Sequence, residues 1–311
     1  MRQRLFITLG MASLAMATFG MKKPKAAIKS LNAATVQQPS YTEWHDLQVN
    51  AINRFPLHTN FFTYSPEDMV YEEGGKLVSR DLAQVNKTMS KNYLSLEGTW
   101  KFNWVENADQ RPTDFYKVDL DDSNWKTMNL PGIWEMNGFG VPEYVNVGFG
   151  WRGHFDQQPP AVPTKDNHVG SYRRIIDIPA NWDGKQVVAH FGSVTSNIYL
   201  YVNGKFAGYA EDSKVAAEFD ITPYLKKGKN LIAFQTFRWC DGSWDEDQDF
   251  WRLSGVARES YLFARDAKLH LEDIRVTPDL VNNYKNGVLN ISAKVKGTGK
   301  LNFILFDKEG K

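Results

Sequence analysis

The sequence predicts an all-β protein, and three observations carry that expectation. From Tyr93 onward, short runs rich in Val, Ile, Tyr, Phe and Trp recur with turn residues between them at regular spacing. Ten Trp, thirteen Tyr and nineteen Phe favour a pleated, half-buried backbone. The third is Val202-Asn203-Gly204-Lys205. An Asn-Gly pair accepts positive φ at both central positions of a type I′ turn, whose twist matches that of the strands it joins. A sandwich or barrel follows.

Taken in order, the chain opens with Arg2 and Arg4, then an apolar stretch over 5–21 whose second half gathers small residues around Ala15-Met16-Ala17, and closes on Lys22, Lys23 and Lys25. This pattern predicts a signal peptide over 1–22 and a periplasmic or secreted protein. An uncleaved anchor stays open, because the apolar run borders on spanning length. Residues 23–50 have the composition of a linker. Residues 41–92 mix aromatics with polar turns and read as an irregular arm at the start of a domain over 51–265.

Strands are expected at 100–104, 170–178, 186–191, 198–202, 206–209, 230–238 and 260–263, with a turn or short helical turn at Thr222-Pro223-Tyr224. The segment 131–163 has no period but carries Trp134, Phe139, Tyr144, Phe149, Trp151 and Phe155. A loop of that length with so many rings reads as a binding loop. A second β pattern over 266–311 holds strands at 270–277, 288–295 and 301–306. Three strands are too few for an immunoglobulin-like sandwich, so the sequence reads as the front portion of something longer.

The bulk composition excludes several function classes. Lys plus Arg (37) nearly balances Asp plus Glu (36), leaving a net charge of +1. That balance gives no electrostatic reason to expect nucleic acid or a membrane surface as partner. The sole cysteine, Cys240, excludes an intrachain disulfide and a multi-thiolate metal site, and reads as a small buried hydrophobe. The six histidines are scattered without metal-ligand spacing, and no phosphate loop or nucleophile elbow is present.

Chemistry concentrates between Arg238 and Arg252. Asp241, Asp245, Glu246, Asp247 and Asp249 lie within nine residues, framed by Trp239, Trp244, Phe250 and Trp251. Rings beside carboxylates suit a sugar, whose C–H faces lie on aromatics while its hydroxyls donate to carboxylate oxygens. An EF-hand is excluded, because its sixth and twelfth positions would be Phe250 and Val256 rather than Gly and Glu. A looser cation site, a glycosidase carboxylate pair and a solvated acidic face remain as alternatives.

Several motifs in order resemble glycoside hydrolase family 2 β-galactosidases. They are Asn53-Arg54 with Pro56 and His58, Ser95-Leu96-Glu97-Gly98-Thr99-Trp100, the stretch Leu130 to Gly138, and Tyr144-Val145-Asn146-Val147. Gly208-Tyr209 with Glu211-Asp212-Ser213, Glu218-Phe219-Asp220, and the acidic run continued by Leu253-Ser254-Gly255 complete the set. The resemblance covers roughly residues 50 to 280. It implies a galactose-binding-like jelly-roll β-sandwich, then an incomplete immunoglobulin-like β-sandwich, with the chemistry in a TIM barrel beyond.

It also implies that Asn146 and Asp249 contact the sugar, that Asp249 ligates sodium, and that the catalytic glutamates and magnesium belong to the barrel. No residue of this chain inherits a catalytic role, and the chain alone is expected to be inactive. The implied partner is a β-galactoside carbohydrate, and homo-oligomerisation of a full-length enzyme is left open. A stand-alone carbohydrate-binding module is the rival reading. β-Glucuronidase or β-mannosidase activity fits less well, because Glu246-Asp247-Gln248-Asp249 is the pattern of the galactosidase branch.

Overall fold

A computed structural model describes residues 5–10, 38–73, 76–79 and 85–305. The chain divides into two compact units. One comprises Gln37–Leu57 and Phe62–Arg265; the other contains Met1–Val36, His58–Phe61 and Asp266–Lys311. Among the described residues there is no α-helix, only strands and single 3-10 turns. No helix there is long and apolar enough to cross a membrane.

The larger unit is a two-sheet β-sandwich of the jelly-roll kind. Its main sheet orders seven strands as Ala51–Ile52, Lys205–Ala210, Ile198–Val202, Gly228–Phe237, Val169–Ile178, Gly98–Val105 and Lys126–Leu130. Facing it are Ala217–Asp220, Gln186–Phe191, Ser260–Arg265 and Tyr93–Ser95. Successive side chains of a strand point to opposite faces, so each strand feeds two environments. Ile198, Leu200 and Val202 enter the core between the sheets, with Trp100, Phe102, Tyr172, Phe191, Phe234 and Leu262. Tyr199 and Tyr201 point the other way, into a second cluster with Trp44, Phe115, Tyr209, Phe237 and Cys240.

That second cluster explains the arm. Trp44 packs on the outer face of the main sheet, Ile52 lies in its edge strand, and Arg54 bridges to Phe219 of the facing sheet. The arm contains short strands at Ala51–Ile52, Val70–Glu73 and Lys76–Ser79, which an irregular reading of 41–92 misses. Two- and four-residue strands are too short to show a period; Ala51–Ile52 is defined by pairing with distant Tyr209 and Ala210, and the other two by pairing with each other.

Elsewhere in the larger unit the expected strands form with ends moved by at most two residues, whereas Tyr93–Ser95, Lys126–Leu130 and Ala217–Asp220 of the two sheets are strands the sequence pattern did not indicate. The longest pair of the larger unit, Val169–Ile178 with Gly228–Phe237, is in unbroken antiparallel register. Asn203 (φ 51°) and Gly204 (φ 81°) form the expected turn between Ile198–Val202 and Lys205–Ala210. Thr222–Tyr224 is a 3-10 turn. Within the larger unit, Gly170 is fixed by packing, since a Cβ there would lie 2.4 Å from Trp134.

In the smaller unit, His270–Val281 and Asn286–Lys296 form a hairpin, and Lys300–Leu305 pairs antiparallel with Leu5–Gly10. The three expected strands are present, but they pair in two separate ribbons. Most of the expected leader, residues 1–4 and 11–22, and the linker up to residue 37 lie outside the described residues, whereas Leu5–Gly10 is the strand just named.

Candidate functional site

The loop 131–163 and the acidic run meet at the edge of the sandwich. Glu143–Val145 pairs antiparallel with Phe250–Arg252, with Val145 opposite Phe250 and Tyr144 opposite Trp251. Asn146 directly follows Val145 and Asp249 directly precedes Phe250, so both sit just beyond the same end of this ribbon. Both are exposed. The Tyr144 hydroxyl donates to Asp249 Oδ1 at 2.5 Å. Its phenol pKa is raised, first by that hydrogen bond, because the carboxylate stabilises the protonated phenol. Tyr144 and Trp251 are each 54% exposed, with ring centroids 5.7 Å apart.

The five carboxylates of the run separate into different environments. Asp241 is buried. Glu246 Oε1 accepts the Ser213 backbone N–H at 2.8 Å. Asp247 accepts from Arg252 Nη2. Asp245 is exposed, and Asp249 faces Tyr144. A single acidic face, one of the alternatives the spacing allows, is therefore not what forms.

The rings are also divided. Trp239 and Trp244 pack on Trp151 at 5.2 and 4.8 Å between centroids, and Trp244 lies 4.1 Å from Phe149. Trp244 Nε1 donates to the Ala161 carbonyl at 3.0 Å. These contacts order the long loop, and Gly150 lets it approach: a Cβ there would meet Trp239 at 2.6 Å. Of the four rings framing the run, Trp251 is the one left largely exposed.

Sequence reasoning carried Glu211 only as part of the Glu211-Asp212-Ser213 motif and gave it no role. Tyr209 Oη donates to Glu211 Oε1 at 2.5 Å, inside the second core cluster. Glu211, Cys240 and Asp241 each bring one candidate ligand atom within 4.8 Å of the others. Burial pushes Glu211 up to about 8, with Asp241 beside it adding to the rise. Burial also raises Asp241 and keeps the Cys240 thiol protonated. The group is thus a buried acid pair beside a neutral thiol. Its signal in the sequence is the Gly208-Tyr209 and Glu211-Asp212-Ser213 motif, in which nothing marks Glu211 as buried. Cys240 itself is 1% exposed, as a small buried hydrophobe.

Two facing sheets, with the exposed rings of Tyr144 and Trp251 on a short ribbon beside the Asp249 carboxylate, define a β-sandwich. The chain belongs to glycoside hydrolase family 2: the family model described as "Glycosyl hydrolases family 2, sugar binding domain" matches residues 93–266. A β-galactosidase from Priestia megaterium is 36% identical over 262 residues, covering 84% of this chain and 24% of that protein. One from Lactobacillus delbrueckii subsp. bulgaricus is 37% identical, covering 86% of this chain and 25% of its own. One from Streptococcus thermophilus is 40% identical, covering 70% and 21% respectively. The chain spans about a quarter of the length of these relatives.

Proposed function

We propose that this chain is the sugar-binding, N-terminal portion of a β-galactosidase that releases terminal β-D-galactose residues with retention. One observation carries the reading: β-galactosidases from several bacteria share 36–40% identity over most of this chain. In this reading Asn146 and Asp249 contact galactosyl hydroxyls. An amide both donates and accepts, and a carboxylate accepts, so the pair orients hydroxyls without moving a proton. The acid/base and nucleophile glutamates, with their magnesium, belong to a barrel outside these 311 residues.

Asp249 suits a sodium ion. Its Oδ1 accepts from Tyr144, and its carboxylate is an exposed, hard oxygen donor of the kind alkali and alkaline-earth cations prefer. Asp249 would hold the ion with oxygens from elsewhere in the longer protein. The ion would supply fixed positive charge to a sugar hydroxyl. The basic start and apolar segment at 5–21 support export to the periplasm or medium.

Calorimetric titration with a non-hydrolysable β-thiogalactoside tests the reading. The chain should bind weakly and prefer the galactoside to the matching glucoside. Asp249→Ala and Asn146→Ala should each weaken binding, and no chromogenic β-galactoside should be hydrolysed. Equal affinity for both epimers would instead favour a general carbohydrate-binding module. Hydrolysis abolished by Asp249→Ala would overturn the assignment of catalysis to a barrel.

A further inference from the structure

Alternation along the ribbon of Glu143–Val145 and Phe250–Arg252 sorts its side chains onto two faces. Glu143, Val145, Phe250 and Arg252 belong to one of them. That face turns towards the protein. Arg252 is buried with its guanidinium 4.8 Å over the Phe250 ring, and Glu143 Oε2 lies 3.1 Å from Nη2 of the buried Arg238. Tyr144 and Trp251, paired directly across the ribbon, share the other face, and both rings are exposed.

The outward face carries an acceptor as well as rings. Asp249 stands two residues before Trp251, and its Oδ1 accepts from the Tyr144 hydroxyl, so the carboxylate lies on the side of the rings. Among the described residues Tyr144 is the one donor to Asp249, which leaves Oδ2 open to a ligand hydroxyl. The two rings are tilted by 57°. Trp239 and Trp244, the other indoles of the acidic run, are held by Trp151. Trp251 is the indole of the run that still has a face to offer.

We propose that Trp251 is the stacking platform for the galactosyl ring and a determinant of the preference for galactose over glucose. The inference rests on the galactoside reading of this chain. A β-galactosyl ring gathers the hydrogens of C3, C4 and C5 on one side, because its 4-hydroxyl is axial. In a glucosyl ring the C4 hydrogen lies on the opposite side, and the apolar patch is smaller. The flat, electron-rich face of an indole suits the larger patch. A carboxylate beside it takes a hydroxyl and fixes the orientation of the sugar. Because Trp251 is exposed, covering it removes apolar surface from water without first breaking a packed contact.

Saturation-transfer NMR and calorimetry on the 311-residue chain, with methyl β-thiogalactoside and the matching thioglucoside, test the assignment. In the parent chain, saturation should be strongest at the C3, C4 and C5 hydrogens of the galactoside. Trp251→Ala should lower galactoside affinity by roughly two- to tenfold, as expected for one lost ring contact. It should also remove that saturation pattern and narrow the galactoside-over-glucoside ratio, whereas Trp251→Phe should keep most of both. Neither variant should lower the thermal midpoint, since an exposed side chain is replaced. A lower midpoint with binding lost in both variants would assign Trp251 to the fold and overturn the proposal. Galactoside binding by the parent chain with affinity and ratio unchanged in Trp251→Ala overturns the platform alone. A parent chain that binds neither sugar overturns the galactoside reading and the platform with it.

Discussion

The Tyr144 hydroxyl donates to Asp249 Oδ1 at 2.5 Å, beside two strands whose register sets Val145 opposite Phe250 and Tyr144 opposite Trp251. The two partners are 105 residues apart in sequence. That bond holds an exposed carboxylate in one orientation, and an oriented acceptor loses less freedom when a hydroxyl approaches it.

The phenol reports on this bond directly. A carboxylate acceptor favours the protonated phenol, so the Tyr144 pKa lies above its ordinary value. Asp249→Asn should lower it, seen in an ultraviolet titration as one tyrosine ionising at lower pH than in the parent chain. Tyr144→Phe should also weaken β-thiogalactoside binding, by less than Asp249→Ala does. An unchanged tyrosine titration in Asp249→Asn would show that the bond does not persist in solution.

The buried acid pair makes stability depend on pH. Glu211 ordinarily titrates near 4.5 and is raised to about 8 in the folded chain, chiefly by burial. Between those values the folded state keeps a proton that the unfolded state has released. Stability is therefore full below pH 4.5 and declines as pH rises towards 8, with a slope of at most about 1.4 kcal/mol per pH unit for one proton. Asp241 shifts the same way. Urea unfolding across this range in chelator-containing buffer should show the decline, and Glu211→Gln should flatten it. A slope that survives Glu211→Gln assigns the dependence to another group.

Asn203 separates turn geometry from hydrogen bonding. Its φ of 51° suits glycine equally well, yet its side chain is fully engaged. Nδ2 donates to Tyr224 O at 2.9 Å and Asn230 Oδ1 at 2.7 Å, while Oδ1 accepts from Leu231 N–H at 3.0 Å. Asn203→Gly keeps the turn and should still cost roughly 1–3 kcal/mol in chemical denaturation, because partly buried partners are left unpaired. No change would mean that the turn conformation alone accounts for Asn203.

By itself the sequence determined the all-β class, the main strands and the Asn203-Gly204 turn, because these are local: side-chain alternation and tolerance of positive φ are written within a few residues. Its ordered motifs also carried the family resemblance and singled out Asn146 and Asp249. Only the tertiary structure decided what the acidic run does. It buried Asp241 beside Glu211, tied Glu246 and Asp247 to backbone and guanidinium, and spent Trp239 and Trp244 on ordering the loop. It also paired the strand carrying Tyr144 with the one leading from Asp249. Adjacent carboxylates look alike in a sequence, and their roles diverge because burial and partners come from segments as far as 105 residues away.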